Sequence, residues 1–234
     1  MITRRRLLIA LPAALCAPAT AAAYLLPTPH VLRKATARLA ASRGLTITLA
    51  GEARLDGGRE VEVVEQWSFG PRLAVTVTAT ETTPTPPPGA PPLAPPAAPP
   101  ASHARIIGAD ITGDPALLPR APVRQLLDLL FAQADPSAVM QAIGARRDAQ
   151  SLALAGDRVV MVLGAPPGDR RAPALWVDND DDTIRRVRFA TDIGDAELRL
   201  DEWDGPITRG RFPHRLTVTL AGRPVRRLTA RSMP

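Results

Sequence analysis

The sequence predicts an α+β fold that is mainly β: one curled antiparallel sheet of about eleven strands with three helices lying on its apolar face. Three observations predict it. Residue after residue, apolar and polar side chains alternate with a period of two, as in Leu73, Val75, Val77 and Ala79 against Thr76, Thr78 and Thr80, which gives a sheet one dry and one wet face. The turns between these runs are compact (Asp56-Gly57-Gly58, Phe69-Gly70-Pro71, Gly156-Asp157, Ala221-Gly222) and too short to hold crossover helices, so neighbouring strands pair antiparallel. Three segments instead carry apolar residues at helical spacing. So many strands cannot lie flat, and the apolar face of the curl must be covered.

Taken in order, the chain opens with Arg4-Arg5-Arg6, an apolar run from Leu7 to Cys16, and a small-residue stretch ending in Ala21-Ala22-Ala23. Residues 1–23 read as a secretory signal peptide, cleaved after Ala21 or Ala23. The run is too short to span a bilayer and Pro12 interrupts it. Thr3-Arg4-Arg5-Arg6-Leu7-Leu8 also fits a twin-arginine leader, so export by the Sec or the Tat route into the periplasm is expected. Residues 24–234 then form a single domain.

Thr28 is placed to cap a first helix, with Pro29 at its first position, Gly44 beyond its end, and Val31, Leu32, Ala35 and Leu39 on one face. Strands are expected at 44–54, 60–69, 72–80 and 104–111. Between the third and fourth, residues 84–100 hold ten prolines. Such a run neither pairs in a sheet nor forms a helix, so 82–101 is expected to be a disordered Pro-rich insertion. A second helix begins near Pro122, with Val123, Leu126, Leu127, Leu130, Phe131 and Ala134 in phase. A third opens at Asp135-Pro136 and stops at Gly144, with Val139, Met140 and Ile143 inward. The remaining strands are expected at 149–155, 158–164, 173–178, 183–190, 195–204, 212–220 and 224–231.

Composition narrows the function. The net charge of +6 falls to +3 without the three leader arginines. The remaining arginines are scattered through strands and few aromatics stand beside them, so nucleic acid is not an expected partner. Cys16 is the only cysteine and lies in the leader, which removes disulfides, cysteine zinc sites and a cysteine nucleophile from the mature chain. His30, His103 and His214 stand alone, no G-x-S-x-G elbow occurs, and Gly164-Ala165-Pro166-Pro167-Gly168 lacks the Lys-Ser/Thr of a phosphate loop. Asp178-Asn179-Asp180-Asp181-Asp182 has Thr183 and Phe189 where a calcium loop needs Gly and Glu, so it reads as a polar hairpin turn. No catalytic residue, metal or cofactor is expected, and the protein is not expected to be an enzyme.

The layout is familiar. Glu65-Gln66-Trp67-Ser68-Phe69-Gly70-Pro71-Arg72-Leu73, then Asp157 through Gly164 with Leu175-Trp176-Val177-Asp178, and finally Leu200-Asp201-Glu202-Trp203 and Phe212-Pro213-His214-Arg215-Leu216-Thr217-Val218 resemble the outer-membrane lipoprotein carrier superfamily, which includes LolA, LolB and the mycobacterial LppX-type lipid carriers. The resemblance implies an eleven-stranded antiparallel half-barrel, closed by helices, that shelters acyl chains. Trp67, Phe69, Leu73, Val75, Val77, Leu198, Leu200, Leu216 and Val218 would line the cavity. Leu126, Leu127, Leu130 and Phe131 would form the lid's inner face. Arg72 holds a place similar to an arginine that latches the lid in the carrier. The expected partners are acyl chains of lipoproteins or lipids, and transport proteins of the inner or outer membrane, met by a monomer. The alternative function is a non-catalytic periplasmic interaction or sensor domain of the same fold.

Overall fold

The computed structural model describes residues 25–81, 101–108 and 110–234. The leader at 1–23 and nearly all of the Pro-rich insertion lie outside the described residues. Helix α1 (Thr28–Leu39) buries Val31, Ala35 and Leu39. It is not capped by Thr28: Pro27 occupies the cap position, and the Thr28 hydroxyl donates instead to Gln150 Oε1 at 2.9 Å. A tertiary partner has displaced the local one.

Strands β1 (Thr46–Arg54), β2 (Glu60–Phe69), β3 (Leu73–Glu81), β4 (Ser102–Ile107) and β5 (Asp110–Gly113) follow as a meander. The two strands flanking the insertion pair directly, Ala79 opposite Ser102. Where one strand was expected at 104–111 there are two. Gly108 turns the chain at φ +60°, a conformation glycine takes freely, and Ile106 then faces Ile111 across a hairpin. After β5 come α2 (Ala121–Leu127), a π-helical turn (Asp128–Ala132) and α3 (Pro136–Ala142). Asp135 caps α3 as expected, accepting from Ala138 N at 3.0 Å. A second meander closes the chain: β6 (Gln150–Ala155), β7 (Arg158–Leu163), β8 (Ala174–Asp178), β9 (Ile184–Thr191), β10 (Gly194–Asp201), β11 (Arg215–Leu220) and β12 (Arg223–Ser232).

All strands belong to one sheet in the order β5-β4-β3-β2-β1-β12-β11-β10-β9-β8-β7-β6. Every neighbouring pair is antiparallel, and among the described residues β1–β12 is the one pairing between the two meanders. The sheet is open, with β5 and β6 as its edges. This topology explains the cover. The connection from β5 to β6 must travel from one edge to the other, and it carries α2 and α3 over the inner face as it goes. Register shifts in β1–β12, β11–β12 and β8–β9 add the local twist that bends a long sheet.

The central seam depends on Gly51. A Cβ there would lie 1.9 Å from the Arg227 carbonyl oxygen of β12, so no larger residue fits without moving backbone. Alternation is kept almost throughout. In β2, Val61, Val63, Glu65, Trp67 and Phe69 are buried between exposed or half-buried neighbours. A smaller apolar cluster of Val160, Val162, Ala165, Ala174 and Trp176 forms on the outer face, where the 164–173 loop lies.

Candidate functional site

Trp67, Phe69, Leu73, Val75, Val77, Leu198, Leu200, Leu216 and Val218 all face the inside of the curl, and none is more than 9% exposed. Leu126, Leu127, Leu130 and Phe131 meet them from the cover in the same packed cluster. The π-helical turn sets this contact. Its wider pitch offsets the helix face by a residue and turns both Leu130 and Phe131 inward, each fully buried. The Phe131 ring sits 5.3 Å from Phe69, 4.6 Å from Phe212 and 6.2 Å from Trp203. These rings fill the space beneath the middle of the cover.

Phe212 and Trp203 were expected on strands. They belong instead to the 202–214 connection, which leaves β10 where Glu202 takes φ 56° and folds both rings under the cover. The Trp203 indole donates to the carbonyls of Ile184 and Leu200, each at 3.1 Å, so its one polar group is satisfied as it is buried.

Open space lies towards one end of the curl, the end with the β1–β2, β9–β10 and β11–β12 turns. A hollow of about 580 Å³ is walled there by Leu118, Pro119 and Val123 of the cover and by Val218, Leu220 and Val225 of β11 and β12, with Leu55, Ile111 and Ile193 at its border. Its size falls within the roughly 300–1,000 Å³ of small-molecule sites. Of the nine lining residues expected from sequence, Val218 borders it and the others do not. Leu73, with Arg72, borders a second hollow of about 550 Å³ beside Ala121, Arg124, Gln125 and Asp128.

Two charged residues share the inner face. Glu65 of β2 is fully buried and Arg226 of β12 is 6% exposed. Arg226 Nη1 donates to Glu65 Oε1, the Trp67 indole donates to Glu65 Oε2 at 2.8 Å, and Arg226 Nη2 donates to the Leu117 carbonyl at 2.7 Å. Burial pushes the Glu65 carboxyl above its ordinary range, while Arg226 and the Trp67 indole pull it back. Arg226 thus ties β12 to the start of the cover. Arg43 ties the other part, donating to the Gln133 carbonyl between the π-helical turn and α3. Arg72 is exposed and has no hydrogen bond or ion pair among the described residues. Sequence reasoning passed over Glu65 and Arg226. The available signal was a charge in phase with inward apolar residues: Val61-Val63-Glu65-Trp67 and Arg226-Leu228-Ala230.

The Asp178–Asp182 turn is held from within. Asp178 and Asp181 accept from both Arg158 and Arg185 at 2.7–3.2 Å, and Asp178 Oδ1 accepts from Asp180 N. Among the described residues no group of three or more His, Cys, Asp or Glu could hold a metal ion, and no helix is long and apolar enough to cross a membrane. His30 contacts Arg33 at 3.0 Å, His103 contacts Thr78 at 3.3 Å, and the buried Nδ1 of His214 has no hydrogen-bond partner among the described residues.

No family model and no curated protein matches this chain. Solved structures similar to it include a LolA superfamily protein from Nitrosomonas europaea, with a TM-score of 0.46 and 14% identity over 89% of this chain and 93% of that one. Another is a domain assigned to outer membrane lipoprotein sorting from Vibrio parahaemolyticus, with a TM-score of 0.44 and 9% identity over 88% of this chain and 92% of that one.

Proposed function

We propose that this protein is a periplasmic carrier that shelters acyl chains of lipoproteins or lipids between its curled sheet and its helical cover. The observation that carries the reading is the hollow of about 580 Å³ with apolar walls from both layers. It opens to solvent at one end of the curl and adjoins the packed interior at the other. Each methylene moved from water into such a space is worth about 0.8 kcal/mol, so a chain of ordinary length gains enough to be held without a covalent bond. Trp67, Phe69, Leu73, Val75, Val77, Leu198, Leu200 and Leu216 are the surfaces a longer chain would reach if Leu126, Leu127, Leu130 and Phe131 moved outward. The Arg226 and Arg43 side chains donate to backbone carbonyls of the cover, those of Leu117 and Gln133, and oppose that motion; Arg72 stands beside α2, where it could engage the cover in another state. Residues 1–23 act as the export signal and 24–234 as the working domain, which exchanges cargo with membrane transport proteins as a monomer and carries out no catalysis.

Mass spectrometry of organic extracts of the protein purified from its native host tests the reading, together with displacement of a bound hydrophobic dye by a lipopeptide. Lipid in the extract and displacement of the dye support it; neither, from folded protein, overturns it. Leu220→Trp places a ring in the hollow and should abolish dye uptake while leaving the fold intact.

One observation favours a second reading, a non-catalytic interaction or sensor domain. Phe69, Phe131, Trp203 and Phe212 already fill the space under the middle of the cover. A partner recovered by pull-down from envelope extract, with no lipid bound, would select it.

A further inference from the structure

The hollow is not ringed by neutral groups. Five arginines border it, Arg54, Arg120, Arg124, Arg223 and Arg226, against one carboxylate, Asp56. Three of these cations are already matched. Arg226 faces Glu65, Arg120 binds Asp56 at 2.6 Å, and Arg54 lies 3.8 Å from Glu60. The other two face no carboxylate among the described residues. Arg124 donates to the Pro119 carbonyl at 2.6 Å, and the side chain of Arg223, exposed on the first residue of β12, makes no hydrogen bond or ion pair among the described residues. Beside them, Ile111 and Ile193 are 45% and 46% exposed, an apolar border next to a cationic one.

We propose that the hollow takes an amphiphile whose headgroup is anionic, its tail among Leu118, Val123, Val218 and Leu220 and its phosphate or carboxylate on Arg223 and Arg124. The proposal rests on the carrier reading and sharpens it by naming the class of ligand. Arg124 is half-buried at the edge of an apolar wall, so an anion beside it gains more than in bulk solvent, and the guanidinium forks of both arginines suit phosphate and carboxylate oxygens. A headgroup alone would leave the apolar walls wet, and a neutral amphiphile would leave two arginines without a counter-charge.

The test is a titration of the full mature chain with myristoyl lysophosphatidylglycerol and myristoyl lysophosphatidylcholine below their micellar concentrations, followed by displacement of a hydrophobic dye. Glycerol phosphate serves as the headgroup-only arm. The anionic lipid should bind at least about tenfold more tightly than the zwitterionic one, which is about 1.4 kcal/mol. The preference should shrink as salt is raised, and glycerol phosphate should not displace the dye. Arg223→Glu, at the exposed start of β12, should lose most of the preference by weakening the anionic lipid far more than the zwitterionic one; Arg124→Gln should reduce the preference further. Equal affinity for the two lipids overturns the proposal and leaves the carrier reading standing. Displacement by glycerol phosphate as effective as by the lipid overturns it in favour of a simple anion site. Failure of both lipids to bind overturns the carrier reading itself.

Discussion

Replacing Arg226 by leucine removes the partner of a carboxylate that has no access to water. Glu65 is fully buried, and among the described residues Arg226 is the one cation bonded to it. Breaking a buried pair by deleting one member costs about 3–5 kcal/mol, and a domain of this size loses about 2–4 °C per kcal/mol. Arg226→Leu should therefore melt about 6–20 °C below the parent at neutral pH, by differential scanning calorimetry. The sign of the pH dependence follows from the direction of the shift. Burial already raises the Glu65 carboxyl, and loss of Arg226 raises it further. The folded variant then binds a proton that the unfolded chain releases, so its stability falls as pH rises from about 4.5 through the folded value, by at most about 1.4 kcal/mol per unit. The gap between variant and parent should be widest near pH 8 and narrow towards pH 5. Glu65→Gln with Arg226→Leu should recover part of the loss and flatten this dependence, keeping a penalty of about 1–3 kcal/mol for the unmatched Leu117 carbonyl. A shift below about 3 °C, or a gap as wide at pH 5 as at pH 8, would refute the claim that the pair is desolvated.

Gly51→Ala should destabilise by about 1–3 kcal/mol or more in urea unfolding, because its Cβ would strike the Arg227 carbonyl at the seam of the sheet. Phe131→Ala removes the ring shared by Phe69, Phe212 and Trp203 and should cost about 3–5 kcal/mol, with increased hydrogen exchange in the 121–142 cover. Asp178 is buried, which raises its carboxyl, but the Asp180 amide and the guanidinium groups of Arg185 and Arg158 outweigh burial and hold it below the ordinary range. Its contribution is present above about pH 3.8 and is lost as pH falls through the folded value. Asp178→Asn should cost about 1–3 kcal/mol at pH 7 and close part of that gap to the parent in acid unfolding.

Much of the fold is legible in local pattern. Period-two alternation marks the strands because a strand shows every second residue to one face, and the hairpin turns fix their antiparallel order. The three helices are legible from apolar spacing, and the Asp135 cap from its chemistry. What escapes is local geometry that depends on distant partners. Thr28 could bond its own helix and bonds Gln150 instead. The break at Gly108 needs only a glycine to change φ, which a strand pattern tolerates on paper. The π-helical turn leaves no signature in the spacing of Leu126, Leu127, Leu130 and Phe131, since those residues suit an α-helix equally well.

The site divides in the same way. The sequence by itself determined which side chains face inward: all nine expected lining residues and all four of the lid are buried together, because alternation and helical phase are properties of neighbouring residues. Only the tertiary structure decided where space remains. Phe212 and Trp203 enter from a connection and occupy the middle, so the hollow moves to one end, among Leu118, Val123 and Leu220. It also decided that Glu65 of β2 and Arg226 of β12, 161 positions apart, meet over the strand between them, β1. Volume and charge pairing are sums over residues remote in the chain, and they exist only once the two meanders are joined.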